Sequence, residues 1–259
     1  MVDNTQRIAD PAQYSLVIKN ITKQYKGAPR PALAGLDIAI RQGEIFGLLG
    51  PNGAGKTTAI SIMSTLLRPD SGTVSICGVD ALAHPGKVRN LISLVPQHIA
   101  LYLELTAREN LNYFGRLFGL KGSDLKIQVE EALVMVGLEN RADQQIYTYS
   151  GGMKRRANLA VGVLNRPRVL FLDEPTVGID AQSRNLILEK LQHLRDSGTT
   201  MVYTTHYMEE AQALCSSVLV IDQGQMVACG RPTELIDQQP DCANLEDLFF
   251  HLTGKNLRD

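Results

Sequence analysis

The chain has 259 residues, 44% of them hydrophobic, and 26 Lys and Arg against 27 Asp and Glu, for a formal net charge of -1. That supplies one sizeable domain, with or without a subdomain, and a near-neutral chain lacking any run of five like charges excludes a nucleic-acid tail. No apolar stretch approaches the ~18 residues that cross a bilayer, and the polar segment Met1 to Pro11 resembles no signal peptide.

The first third reads as β-rich, with strand-like alternation at 15–21 and 36–40. A short apolar run at 44–49 then leads into Gly50-Pro51-Asn52-Gly53-Ala54-Gly55-Lys56-Thr57, the G-x-x-x-x-G-K-T phosphate loop, with a helix predicted from Thr57 to Met63. The glycines let backbone N–H groups close on phosphate oxygens, and the new helix turns its partly positive end on the same anion. Lys56 brings a full charge to the outer phosphates, Thr57 offers a hydroxyl to magnesium, and Thr58 with the Gly53 to Lys56 amides holds the remaining oxygens. Strands are predicted at 72–77 and 92–95, the second ahead of Pro96. Ile99 to Leu105 is unusually apolar for a loop, and reads equally as core packing or as a partner surface.

From about Thr106 to Leu164 the spacing turns helical, with Leu111, Phe114, Leu117 and Phe118 on one face. Within that block Ser150 is a good N-cap and Gly151 and Gly152 leave the first N–H groups uncovered, a second phosphate-ready helix end. The following Lys154-Arg155-Arg156 reads as a solvated helix face. Strands return at 169–172, 201–204 and 217–221, with a helix from Ala181 to Leu194 between the first two. Asp173-Glu174-Pro175 closes the strand at 169–172. At the carboxyl end of a parallel strand, Asp173 can hold magnesium directly or through water and Glu174 can face an attacking water as base or orienter. Pro175 is expected to bias Glu174 towards extended backbone. Cys77, Cys215, Cys229 and Cys242 are scattered without metal-ligand spacing and read as small core residues in a reducing compartment.

These residues carry a family signature over nearly the full length. The chain resembles the ATP-binding subunit of an ABC transporter. Gly50 to Thr57 is Walker A, Gln97 the Q-loop glutamine, Tyr149-Ser150-Gly151-Gly152-Met153 the signature motif and Val169 to Asp173 Walker B, followed by Glu174. Gly178-Ile179-Asp180 is the D-loop, His206 the switch histidine and Tyr25 the adenine-stacking aromatic. The resemblance implies an α/β P-loop NTPase fold of the ABC-ATPase type. Its mostly parallel core sheet carries an N-terminal antiparallel β subdomain and a helical subdomain at about 98–165, within an ATP-binding domain at 14–240 followed by a short tail helix at 241–259.

It further implies ATP and Mg2+ as cofactors, with Thr57, Asp173 and Gln97 at the metal. Glu174, His206, Gln97 and Lys56 are implied for catalysis, and Tyr25, Gly50, Pro51, Asn52, Gly53, Ala54, Gly55, Thr57, Thr58 and Asp180 for nucleotide binding. Ser150, Gly151 and Gly152 would act in trans on the nucleotide of a second copy. A separate integral membrane subunit is implied, which would hold the chain on the cytoplasmic side as a peripheral protein. Two positions depart from the common pattern, Tyr149 where Leu is usual and Met153 where Gln is usual. Both, with the tail Leu245 to Gly254, resemble the ABC-2 type exporters of drugs, antibiotics, Nod factors and polysaccharides. The alternative is an ABC-type ATPase in a non-transport role such as iron–sulfur assembly.

Overall fold

The computed structural model describes residues 13–254; the polar start at 1–11 and the last five residues of the tail, 255–259, lie outside the described residues. The chain enters through β1 (Tyr14–Lys23) and β2 (Leu33–Arg41), an antiparallel pair whose inward residues Leu16, Ile18, Ile38 and Ile40 are buried. After β3 (Ile45–Leu49) and α1 (Lys56–Met63) it returns to that sheet as β4 (Ser71–Ile76) and β5 (Val79–Asp80), giving the order β2-β1-β4-β5. The short α2 (Pro85–Arg89) and β6 (Ile92–Val95) lead out of it.

The second sheet is the core, and its order is β10-β9-β3-β8-β7-β6, built from β7 (Val169–Asp173), β8 (Thr200–Thr204), β9 (Ser217–Asp222) and β10 (Gln225–Gly230) with β3 and β6. Its ladders are parallel except at β10, an antiparallel edge on β9. Strands covered on both faces read as continuous apolar runs, because alternate side chains enter two different cores. On β7, Val169 and Phe171 join the cluster shared with the antiparallel sheet and α1, while Leu170 and Leu172 join the one beneath the helices.

The helical reading of 106–164 resolves into α3 (Ala107–Leu117), α4 (Gly122–Met135) and α5 (Gly151–Val163). A reciprocal capping box between Thr106 and Glu109 starts α3. The proposed apolar face is only half correct: Leu111 is buried and Phe114 packs on the core, but Leu117 is 64% exposed and Phe118 is exposed as well. Both fall where α3 ends and turns through Gly119 (φ 90°), so the helical period no longer aims them inward. Past α6 (Ala181–Asp196) and α7 (Met208–Leu214), the chain closes with α8 (Pro232–Asp237) and α9 (Leu245–Thr253). Leu245, Leu248 and Phe249 bury α9 in the core, within the segment expected as a tail helix. The elements β5, α2, β10 and α8 have no counterpart in the sequence reading, since each is short and draws its stability from its neighbours. Of the four cysteines only Cys215 is buried, and Cys77 turns the chain after β4 at φ 49°.

Candidate functional site

Because β3 is buried throughout, its end at Leu49 delivers the P-loop from the middle of the core sheet, beside the carboxyl ends of β7 and β8. Space selects two of the loop glycines. A Cβ at Gly50 would lie 2.3 Å from the Ile221 carbonyl, and one at Gly55 would lie 2.4 Å from the Ala32 carbonyl with φ at 112°. The loop hands over to α1 at Lys56, whose ammonium donates to the carbonyls of Gly50 at 2.6 Å and Pro51 at 3.1 Å. Burial pulls the Lys56 pKa below its usual value, and the carboxylates of Glu174 and Asp173 push back against that shift.

A cleft of about 710 Å³ opens here, lined by Tyr25, Asn52, Gly53, Ala54, Gly55, Lys56, Thr57, Thr58, Gln97, Asp173, Glu174 and His206. Gly50 and Pro51 stand behind it, facing Lys56 with their carbonyls. Tyr25 is 45% exposed at its rim, its hydroxyl 3.3 Å from that of Thr58. Ala32 and Val177 complete the lining and were not among the expected residues.

The acidic wall is held by β8. Thr204 donates its hydroxyl to Asp173 Oδ1 at 2.8 Å, and its carbonyl and hydroxyl oxygens both accept from the Glu174 amide, at 3.2 and 3.0 Å. Anchored in this way, Glu174 adopts φ 47°, a left-handed conformation rather than the extended one expected ahead of Pro175. Two backbone-amide hydrogen bonds outweigh the local preference, and a non-glycine residue in this region stores strain of a kind that concentrates at functional sites. The turn aims the carboxylate across the cleft, where Gln97 Nε2 donates to Glu174 Oε2 at 2.9 Å and His206 Nδ1 stands 3.5 Å from the same oxygen.

Ser150, Gly151, Gly152 and Asp180 do not line this cleft; they form a second cluster where the tips of α5 and α6 meet. Ser150 caps α5 by accepting from the Met153 amide, and Asp180 caps α6 by accepting from the Ser183 amide at 2.8 Å. That amide, together with the Ser183 hydroxyl, holds the Asp180 carboxyl below the usual carboxylate pKa. A Cβ on Gly152 would lie 2.1 Å from Ser183 Oγ, so only glycine lets the two tips approach this closely. The departures from the common motif are packing features: Tyr149 is buried and donates its hydroxyl to the Arg141 carbonyl at 2.6 Å, and Met153 packs on the helical core.

Sequence reasoning missed Arg155. Its string of charges suggests a solvated face, yet it donates to the carbonyl of Gln97 and, at 3.0 Å, to that of Val177, tying α5 to two lining segments of the cleft. Burial lowers its pKa, opposed by the charge of Glu174. Arg156 likewise donates to the Val136 and Gly137 carbonyls. Charge count alone signals solvent; only the three-residue spacing from Gly152 along α5 marks Arg155 as facing the same side. Asn158, one turn on, accepts from the Ala100 amide and donates to the Pro96 carbonyl, and so pins the segment carrying Gln97.

The sequence pattern of the ABC transporter family matches residues 33–177. The chain belongs to that family. It is 46% identical over 245 residues to the linearmycin resistance ATP-binding protein LnrL of Bacillus subtilis (strain 168), covering 94% of this chain and 76% of that one. It is 41% identical to a Nod factor export ATP-binding protein I of Ralstonia nicotianae over 89% of this chain and 71% of the relative. With the daunorubicin resistance ATP-binding protein DrrA2 of Streptomyces coeruleorubidus it shares 44% identity over 86% of this chain and 68% of the relative.

Among solved structures, an ATP-binding subunit of an ABC transporter superposes with a TM-score of 0.82 at 27% identity, over 92% of this chain and 99% of that one. A dimeric post-hydrolysis ATP-binding cassette bound to ADP and Pi gives 0.76 at 27% identity, over 83% and 98%. This ABC protein is therefore an ATP-binding and ATP-hydrolysing subunit that powers transport, and the iron–sulfur alternative finds no support among these relatives.

Proposed function

We propose that two copies of this chain clamp two ATP molecules between them and drive export of a drug-like, lipid or polysaccharide substrate through a separate membrane subunit, from its cytoplasmic face. The observation that carries the export reading is the shared identity of 41–46% with resistance and export ATP-binding proteins over most of the chain. Among the described residues no helix is long and apolar enough to cross a membrane, which fits a pathway supplied by another subunit.

The clamp reading draws on the separation of the two clusters. The cleft has a glycine cradle, a buried lysine and an acidic wall, but its lining lacks Ser150, Gly151, Gly152 and Asp180. A triphosphate lying in it would meet the serine-capped tip of α5 from a second chain, the helix end supplying uncovered N–H groups to the γ-phosphate. Loss of that phosphate on hydrolysis would release the pair.

Within the cleft, Lys56 would hold the β- and γ-phosphates, Thr58 and the amides of 53–56 the remaining oxygens, and Tyr25 the adenine face. Glu174 would polarise the attacking water, and His206 would bridge that carboxylate and the γ-phosphate. Phosphoryl transfer of this kind depends mainly on positioning and electrostatic stabilisation. Thr57, Asp173 and Gln97 fit a Mg2+ site of the phosphate-completed type. They are oxygen donors around one cleft, Asp173 is oriented by Thr204, and the described residues hold no cluster of three or more His, Cys, Asp or Glu that would make a self-sufficient cage. Bound there, Mg2+ would neutralise charge developing on the transferred phosphoryl group.

For the membrane subunit we propose the aromatic patch beside the Gln97 segment. Tyr102 and Leu103 are 48% and 41% exposed, with exposed Tyr113 and Tyr147 alongside, while Leu101 turns inward onto the core. Asn110 fixes this loop by accepting from the Tyr102 amide and donating to its carbonyl. Within 99–105, Leu101 therefore packs on the core while Tyr102 and Leu103 stay exposed. The proposal is tested with Glu174→Gln: ATP binding is retained, turnover falls by about 10²- to 10⁴-fold, and ATP but not ADP produces a dimer in sedimentation. Unchanged turnover would remove Glu174 from the chemistry.

A further inference from the structure

A buried polar cluster lies directly behind the cleft, centred on a carboxylate with no assigned role. Glu210 on α7 is only 4% exposed. Its Oε2 accepts from the hydroxyls of Thr176 at 2.9 Å, Thr205 at 3.1 Å and Tyr203. These belong to the loop that follows Glu174, the residue before His206, and β8. The other oxygen, Oε1, faces Arg184 Nε at 3.3 Å. Neither of those two atoms has a well-aligned hydrogen-bond partner among the described residues, so what they share is an ion pair.

Arg184 stands in the first turn of α6, four residues past Asp180. Its guanidinium lies 4.4 Å above the Tyr207 ring, and that ring is 4.2 Å from the ring of His206. The Tyr207 amide donates to Thr205 Oγ1 at 3.0 Å, so the segment 205–207 is held by Glu210 from below and stacked by Arg184 from the side. A carboxylate this deep needs its partners, and one that served only to fill space would be replaceable by an apolar side chain.

We propose that Glu210 and Arg184 are a positioning pair that locks His206 to the first turn of α6, so that the Asp180 tip and the histidine 3.5 Å from Glu174 move as one unit. Neither residue lines the cleft; both act through His206 and Tyr207. The inference rests on the role proposed for His206, and its test separates the two.

His206→Ala is measured first. Normal turnover in that variant removes the role of His206 itself. With His206→Ala slowed to a low but measurable rate, Arg184→Met should lower kcat by about ten- to a hundredfold, the effect of displacing a reacting group by up to an ångström, with KM for ATP within about twofold of wild type. Arg184→Lys, which keeps the charge but not the planar stack, should recover part of that loss. The double variant Arg184→Met with His206→Ala should be no slower than His206→Ala alone, because the arginine acts through the histidine. Tyr207→Leu, at a half-buried position, should reproduce the fall in kcat if Arg184→Met does not fold. A purely structural role would lower the melting temperature and leave kcat per folded site unchanged. That result, or additive slowing in the double variant, would overturn the proposal.

Discussion

Lys56 carries a charge where burial opposes it, and the role proposed for that charge is to hold the outer phosphates. Replacing it with Met removes the cation without opening a cavity. The expected outcome is loss of ATP turnover by at least about a hundredfold, since one preorganised charge at a phosphoryl transfer is worth that much; phosphate release on the purified variant checks it. Cys215 is the opposite case, a buried group that stays neutral. Burial raises its thiol pKa well above the ordinary 9.0, with Glu210 and Glu44 adding to the shift. The unfolded thiol releases its proton near pH 9 while the folded one does not. The stability this provides is therefore complete below that pH and is lost as pH rises above it. Tyr203, fully buried against Glu210, adds the same sign from its ordinary value of 10.0 upward. Urea unfolding at pH 8 and pH 10 should show Cys215→Ala losing less stability over that range than wild type, one proton being worth about 1.4 kcal/mol per pH unit. Equal losses would mean that Cys215 does not contribute.

At the scale of elements, α5 serves several contacts at once. Its cap is Ser150, Gly152 admits the tip of α6, Arg155 holds the Gln97 and Val177 carbonyls, and Gly162 lets the helix lie against β6, where a Cβ would meet Val95 at 2.4 Å. Gly152→Ala would drive a methyl against Ser183 Cβ at 2.5 Å, which is not a flexible chain end. It should cost about 1–3 kcal/mol, as overpacking does, read as a lower urea midpoint at unchanged slope. An unchanged midpoint would mean that α5 and α6 separate freely.

The P-loop, the strand ends at Asp173 and Glu174 and the core strands were legible in the sequence because each is local: a glycine spacing, an apolar run, a turn. Arg155 and Glu210 were not legible. Arg155 sits in Lys154-Arg155-Arg156, whose solvated reading is overturned by carbonyls 58 and 22 residues away in sequence, and the cluster around Glu210 includes Thr176, 34 residues away. The conformation of Glu174 escaped for the same reason, being set by Thr204 on another strand.

At the scale of the whole molecule, one feature organises the rest. The cradle that suits a triphosphate and the serine-led helix tip that suits its far side lie in different places on one chain. Two copies related head to tail would bring them together twice, as closed two-fold symmetry requires. The most direct test mixes Lys56→Ala chains with Ser150→Arg chains, each inactive alone. In a mixed dimer the intact cradle of one chain faces the intact helix tip of the other. Random pairing should then restore about a quarter of the wild-type ATPase rate, since half the dimers are mixed and one of the two sites in each is whole. Recovery near that level is the predicted result, and mixtures that stay inactive at every ratio would contradict a site shared between two chains.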